Sequence, residues 1–126
     1  MIKLESVLSV HKILINRYGG AYGVRDSGLL DASINRPYST FGGQDLYDTP
    51  EKKAAAILES IVTNHPFVDG NKRTGYVLMR LVLMEEKKDV TASQQSKYDF
   101  VIRIASGELS FEQILEWIEE NVIRTE

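Results

Sequence analysis

One short stretch of the chain, HPFVDGNKRT, brings together a base, a carboxylate and two cations. His65 can exchange a proton near neutral pH, and the Asp69 carboxylate can hold Mg²⁺ through an oxygen. Lys72 and Arg73 add full positive charge. If a helix begins near Asn71, its first backbone N–H groups are unpaired and favour a phosphate. These residues together predict a site that handles phosphoryl groups.

Two helices must position this stretch. Before it, Thr49 is a capping hydroxyl followed by proline and an acid, which predicts a helix that runs to about Asn64. After it, an apolar run from Asn71 to Glu86 predicts a central, buried helix. The base would then lie at the end of one helix and the anion-binding N–H groups at the start of the next. We expect Phe67 to anchor the loop between them by burying its ring.

Similar patterns predict four further helices. They cover Leu4–Tyr18, a short segment that Asp26 or Ser27 caps and Pro37 ends, a segment around Tyr98–Ala105, and a last helix whose capping box is Ser110 with Gln113. The predicted core face of the first is Leu4, Val7, Leu8, His11, Leu14, Ile15 and Tyr18, and that of the last is Ile114, Leu115, Trp117, Ile118 and Val122. No alternating strand pattern is found. Arg80 is expected to pair with a carboxylate. Residues 85–88 are expected to form a solvated helix end.

The sequence therefore predicts an all-α fold: a compact single-domain bundle of about six helices around a central buried helix, spanning residues 1–126. Residues 38–48 lack a helical period and contain three aromatic residues and a Gly-Gly pair, which predicts a loop or short hairpin. Within it, Tyr38, Phe41 and Tyr47 could cover the core or contact a partner.

Composition and charge exclude several classes of function. The chain has 126 residues and a net charge of −3, which argues against a protein that binds nucleic acid by neutralising phosphates, since that would need a basic face. It has no cysteine, and hence no disulfide framework or thiolate zinc site. No apolar run is long enough for a signal peptide or a membrane span. We expect a cytoplasmic protein without nucleic-acid or membrane partners.

Other interpretations of the same residues are weaker. A plain helix-connecting turn with a salt-bridged Asp69 would need the four functional residue types to converge by chance. A metal hydrolase would need more ligands than His65 and Asp69 supply. A serine hydrolase would need an exposed nucleophile, and Ser60 lies on the preceding helix. His11, on an apolar face, is predicted to pack or hydrogen-bond in the core.

The stretch from His65 to Arg73 resembles the signature of the Fic/Doc family, H-P-F-x-[D/E]-G-N-[G/K]-R, at every position. Lys72, the short chain, and the upstream segments 18–20 (Tyr-Gly-Gly) and 26–28 (Asp-Ser-Gly) are more similar to the Doc branch. Doc proteins are the toxins of toxin–antitoxin pairs. The resemblance covers most of the chain but is specific only in this loop.

The resemblance implies transfer from ATP, with Mg²⁺, to a hydroxyl on a protein. His65 would be the general base and Asp69 the magnesium ligand. The implied phosphate-binding or nucleotide-binding residues are Gly70, Asn71, Lys72 and Arg73. Elongation factor Tu is the implied target, and Tyr38, Phe41 and Tyr47 would belong to a flap that aligns the target chain beside the site.

Two departures from the AMP-transferring members of the family concern the kind of transfer. Those members usually carry Gly at the position of Lys72 and a second Arg at the position of Tyr76. The resemblance to Doc implies an inverted nucleotide whose γ-phosphate is transferred, which makes the protein a kinase. AMP transfer, and a non-catalytic module that only binds a partner, remain alternatives.

The resemblance also bears on inhibition. Many Fic proteins carry an inhibitory helix with the motif [S/T]-x-x-x-E-[G/N], and no Ser or Thr here has Glu four positions later. The nearest is Ser27, which meets Asp31. We therefore expect inhibition in trans, by the C-terminal helix of a cognate antitoxin.

Overall fold

The computed structural model describes residues 1–125, and most of them lie in helices. The α-helices are α1 (Leu4–Tyr18), α2 (Ser27–Asn35), α3 (Pro50–Asn64), α4 (Asn71–Met84), α5 (Gln94–Ala105) and α6 (Phe111–Asn121). The strands are β1 (Thr40–Phe41), β2 (Gln44–Asp45), β3 (Lys88–Val90) and β4 (Val122–Arg124), and a 3₁₀ turn covers Arg36–Tyr38. The prediction of an all-α bundle of about six helices is confirmed.

The two helices that flank the predicted site, α3 and α4, pack against each other in the middle of the bundle. Helix α3 also contacts α2, α5 and α6. Three consecutive alanines, Ala54 to Ala56, are fully buried, and their small side chains let neighbouring helices approach α3 on several sides. Helix α4 buries Leu78, Met79, Val82 and Leu83. The site is therefore carried by the most enclosed helix pair.

The predicted helix starts are confirmed. The Thr49 hydroxyl accepts from the N–H of Lys52 at the start of α3. The Asp26 carboxylate accepts from Leu29 N–H at the start of α2. Ser110 and Gln113 form the predicted capping box of α6. Each cap satisfies N–H groups that a helix would otherwise leave unpaired.

The predicted core face of α1 is only partly correct. Val7, His11 and Ile15 are buried, whereas Leu4 and Leu8 are 42% and 39% exposed. The buried residues are four positions apart and form one narrow stripe. Helix α1 packs against the rest of the chain through that stripe, whereas Leu4 and Leu8, beside it, face outward.

The structure contains one strand pair outside the flap that no sequence pattern indicated. Strand β3 pairs antiparallel with β4, so Val122 lies in β4 and not on the face of α6. Lys88, expected in a solvated end, is in β3 and pairs with the buried Glu51 at 2.7 Å. Strands of three residues are too short to show an alternating pattern. Arg80 makes two hydrogen bonds of 2.9 Å to Asp89 of β3, as expected of its pairing with a carboxylate.

Within residues 1–125, no helix combines the length and the apolar content that a membrane crossing requires.

Candidate active site

The loop between α3 and α4 has a defined backbone. Helix α3 ends at Asn64, and His65 follows in the left-handed conformation with φ 50° and ψ 55°. Gly70 precedes α4 with φ 76°. The left-handed region disfavours residues with a Cβ by about 1–2 kcal/mol, so neighbouring contacts must hold His65 in place. The base lies at the end of α3, as predicted.

His65 is exposed, and nothing in residues 1–125 hydrogen-bonds its imidazole. An exposed imidazole without an internal partner can accept a proton from an incoming group. The left-handed turn ends α3 at this residue, and Pro66 then directs the chain into the loop.

A strap of residues 20–26 runs along the loop. Val24 pairs with Phe67 as an antiparallel bridge, and Val68 N–H donates to the Gly23 carbonyl at 3.0 Å. The backbone N–H groups of residues 25 and 26 both donate to the Pro66 carbonyl, at 2.8 and 3.1 Å. The loop is thus held from outside by backbone hydrogen bonds.

Phe67 anchors the loop from inside, as predicted, and is 1% exposed. The His11 ring stacks on it with centroids 3.8 Å apart and planes within 6°. His11 Nε2 donates to the Asp69 carbonyl at 2.8 Å, since a carbonyl can only accept. The prediction that His11 packs and hydrogen-bonds in the core is confirmed, and its partner is the loop itself.

The Asn71 side chain closes the loop between α3 and α4. Its Oδ1 accepts from Phe67 N–H and its Nδ2 donates to the Phe67 carbonyl, both at 3.0 Å. The residue is buried. Because both amide atoms bond the backbone of Phe67, the side chain holds the loop closed, and the backbone N–H of Asn71 has no backbone acceptor in the described chain.

The start of α4 has the features that favour an anion. Gly70 caps it without a side chain, and the first backbone bond into the cap is from Thr74 N–H to the Gly70 carbonyl, 3.0 Å. In the described chain, the backbone N–H groups of Asn71, Lys72 and Arg73 have no backbone acceptor. Such N–H groups and the helix dipole favour an anion.

Gly70 cannot be replaced without strain. A Cβ added there would lie 3.1 Å from Ile15 Cδ1 and 3.6 Å from His11 Nε2. Its positive φ adds to that restriction. The glycine of the motif therefore lets α1 approach the loop closely.

Two exposed cations follow the cap. Lys72 and Arg73 form no ion pair with any residue from 1 to 125. The Arg73 guanidinium carbon lies 4.0 Å from the centre of the Tyr18 ring, a cation–π contact that orients it. Both charges remain available to a ligand.

Asp69 carries the carboxylate of the site. Its Oδ1 accepts from Gly70 N–H at 3.0 Å and its Oδ2 from Ala21 N–H at 3.2 Å. The residue is exposed, so lone pairs remain for a cation. Residues 1–125 contain no cluster of three or more His, Cys, Asp or Glu that could hold a metal. A single carboxylate fits Mg²⁺ in nucleotide sites, where phosphates and water supply most ligands.

Sequence reasoning missed the contact of Gly20, which it named only as part of the segment 18–20. Gly19 is the residue that ends α1, with its N–H bonded to the Ile15 carbonyl. A Cβ on Gly20 would lie 2.8 Å from Asp69 Oδ2, and its φ is 113°. Gly20 thus leaves the space that the Asp69 carboxylate occupies. The sequence contained only the Gly-Gly pair, and the contact with residue 69 required the fold.

Tyr76, in the second turn of α4, supplies no charge to the site. Its hydroxyl is buried and has no hydrogen-bond partner in the described part of the chain. Burial raises the pKa of Tyr76 to about 12, so the phenol is neutral at physiological pH. The cations near the start of α4 are therefore Lys72 and Arg73.

The predicted flap is a small hairpin. Strands β1 and β2 pair through Thr40–Asp45 and Phe41–Gln44. Phe41, the last residue of β1 before the turn, is 83% exposed. Tyr38 is half-buried, with its hydroxyl bonded to Ile2 N–H and to Glu85, and Tyr47 accepts a hydrogen bond from Arg36 Nε. Of the three aromatic residues, only Phe41 presents its ring outward.

Comparison with known proteins adds independent information. The model of a family described as "Fic/DOC family" matches residues 1–83, which include the whole loop and nearly all of α4. A protein of Mycolicibacterium smegmatis named "Toxin Doc" is 49% identical over 72 residues, which is 57% of this chain and 53% of that protein. The chain thus spans about half the length of that relative. A protein of Escherichia phage P1 named "Protein kinase doc" is 30% identical over 113 residues, which is 90% of this chain and 88% of that protein.

Proposed function

Because the chain belongs to the Fic/Doc family, we propose that it is a toxin that transfers the γ-phosphate of ATP to a hydroxyl of a protein. The observation that carries the proposal is the loop between α3 and α4. It holds an exposed base, His65, and an exposed carboxylate, Asp69. They directly precede a helix start that has no side-chain cap and that carries two cations without an ion pair in residues 1–125. The relative named as a toxin supports the toxin role, and the relative named as a protein kinase supports phosphate transfer.

In this proposal His65 is the general base. The target hydroxyl loses its proton to the imidazole while its oxygen attacks the γ-phosphorus. The bond between the γ-phosphorus and the oxygen that links it to the β-phosphorus breaks, and ADP leaves. A well-placed base contributes about 10²–10⁴ in rate. The position of His65 at the end of a packed helix, with its imidazole exposed, suits that role.

The remaining loop residues would position the phosphates. The backbone N–H groups of residues 71–73 and the side chains of Lys72 and Arg73 would hold phosphate oxygens. Asp69 would hold Mg²⁺, which neutralises phosphate charge when bound. Phosphoryl transfer depends mainly on such positioning and charge stabilisation.

The choice of γ-phosphate over AMP rests on two residues. Lys72 places a long side chain where AMP-transferring relatives have glycine, and neutral Tyr76 stands where they have a second arginine. Both changes alter where the nucleotide phosphates can lie. AMP transfer is the alternative outcome of the experiment below.

We propose elongation factor Tu as the target, in the cytoplasm, and a cognate antitoxin as the partner that inhibits in trans through a C-terminal helix. The exposed Phe41 on the hairpin would contact the target chain. The packed positions of Tyr38 and Tyr47 would support the hairpin from below. The lack of an internal inhibitory motif supports regulation by a second protein.

The test uses ATP labelled at either the γ- or the α-phosphate, with purified elongation factor Tu and Mg²⁺. We expect γ-label to reach the target and α-label not to. The His65→Ala variant, whose change is at an exposed position, should keep its fold by circular dichroism and lose transfer. Transfer of α-label would reassign the protein to AMP transfer, and transfer of neither label would favour a binding module. Growth arrest on expression, relieved by the antitoxin, tests the toxin role.

A further inference from the structure

An arginine outside the motif forms hydrogen bonds with the end of α3. Arg25 Nε donates to the His65 carbonyl at 2.6 Å, and its Nη2 donates to the Asn64 carbonyl at 2.7 Å. Hydrogen bonds from a charged donor are about twice as strong as neutral ones. One guanidinium thus holds two successive peptide carbonyls, 39 and 40 residues further along the chain.

These carbonyls need a partner. The last carbonyls of a helix have no intrahelical donor, and the helix dipole is negative at this end. Many helices end at a glycine in the left-handed conformation, which lets the following N–H groups bond these carbonyls. At the end of α3 the left-handed residue is His65. The arginine satisfies the carbonyls and supplies positive charge where the dipole favours it.

We propose that Arg25 is a positioning residue for the general base. Its guanidinium fixes the peptide groups on either side of the His65 Cα, and these set the position of the imidazole. This inference rests on the proposed function of His65. Attachment of the strap does not require the side chain, because the backbone N–H groups of residues 25 and 26 already bind the Pro66 carbonyl. What the guanidinium adds is control of the backbone immediately before and at His65.

Loss of the guanidinium should affect the base and spare the nucleotide site. The phosphate-binding N–H groups belong to α4, whose start is fixed by Gly70 and by the Asn71 bonds to Phe67. The Arg25 side chain donates to the carbonyls of Asn64 and His65 and forms no hydrogen bond with Gly70 or Asn71 in the described chain. A displacement of a catalytic group by about 1 Å can lower a rate 100-fold. We therefore expect Arg25→Gln to lower kcat by about 10- to 100-fold with KM for ATP changed less than about twofold.

Two further variants sharpen the comparison. Lysine has one compact donor group and cannot bridge two carbonyls as the guanidinium fork does, so Arg25→Lys should recover only part of kcat. The matched control is Arg103→Gln in α5, which removes another exposed arginine whose partner is Glu108. Because the hydrogen bonds of that pair stay within residues 103–108, the control should retain wild-type kcat and KM.

A double-mutant cycle separates positioning from a general structural effect. In a His65→Ala background, Arg25→Gln should cause no further loss of the residual rate, because the arginine acts through the imidazole. Equal losses in both backgrounds, or a rise in KM with unchanged kcat, would overturn the proposal.

A readout without activity keeps the two proposals distinguishable. The ¹³Cα and carbonyl chemical shifts of His65 report its left-handed backbone, and they should move in Arg25→Gln but not in Arg103→Gln. Unchanged His65 shifts in Arg25→Gln would overturn the positioning role. If the wild-type protein transfers no phosphate, the proposed function fails, while the shifts still decide whether Arg25 sets the backbone of His65.

Discussion

Replacing Gly20 with alanine is the sharpest test of how the strap supports the carboxylate of the site. Gly20 lies outside the motif, and sequence reasoning assigned it no contact. In the structure, the added Cβ would lie 2.8 Å from Asp69 Oδ2 and 3.1 Å from Ile15 Cδ1. The first distance is shorter than real Cβ contacts allow, so the Asp69 carboxylate or the strap must move.

The expected size follows from two separate effects. A residue with a Cβ at φ 113° is strained by about 1–3 kcal/mol, which lowers the free energy of unfolding. Moving the carboxylate also weakens its 3.2 Å bond from Ala21 N–H and displaces the proposed magnesium ligand. A displacement of about 1 Å corresponds to a loss of about 100-fold in kcat.

Gly19→Ala is the matched control, because Gly19 has φ 89° and nothing within 4 Å of an added Cβ. Both variants should lose stability in chemical denaturation because of the positive φ, and Gly20→Ala should lose more because its Cβ also displaces the Asp69 carboxylate. Only Gly20→Ala should also lose about 100-fold in phosphate transfer at saturating ATP, with a higher Mg²⁺ requirement. Equal activity in the two folded variants would refute the reasoning that residue 20 makes room for the Asp69 carboxylate.

Two further predictions concern α4. Asn71→Ala should lower the free energy of unfolding by about 2–4 kcal/mol, because it leaves the buried N–H and carbonyl of Phe67 unpaired; a stability unchanged in urea denaturation would contradict the loop-closing role. Tyr76→Phe removes a buried hydroxyl without a partner and should raise that free energy by about 1 kcal/mol near pH 7. Because burial raises the pKa of Tyr76 from 10.0 to about 12, the unfolded chain releases this proton first, and wild-type stability should fall between pH 10 and 12. The variant should lack that part of the fall, as denaturation series at pH 9 and 11.5 would reveal.

Much of the architecture could be predicted from local sequence. The caps at Thr49 and at Ser110 with Gln113 are formed by residues three positions apart, so their chemistry is visible without a fold. The same holds for the loop from His65 to Arg73, whose functional groups are near neighbours in the chain. Helix α3 ends where Pro66 requires it to end, and α4 begins at Asn71 as predicted.

Other features depended on pairing between distant residues. Strands β3 and β4 are three residues each and are stabilised by each other, so neither has a pattern of its own. Leu4 and Leu8 have the spacing of a core face but lie beside the stripe that the rest of the chain covers. Hydrophobic spacing identifies a face, whereas packing decides how wide the buried part is.

The sequence by itself determined which functional groups are neighbours at the proposed site: a base, a carboxylate and two cations, with a helix start among them. Only the tertiary structure decided how those groups are held. Gly20 makes room for Asp69, Arg25 holds the backbone of His65, and the Asn71 amide closes the loop on Phe67. The first two contacts join residues 40 to 49 positions apart, and the third uses a polar side chain that could equally have faced a ligand. Short-range spacing cannot distinguish these outcomes, because each depends on which groups the folded chain brings within hydrogen-bond distance.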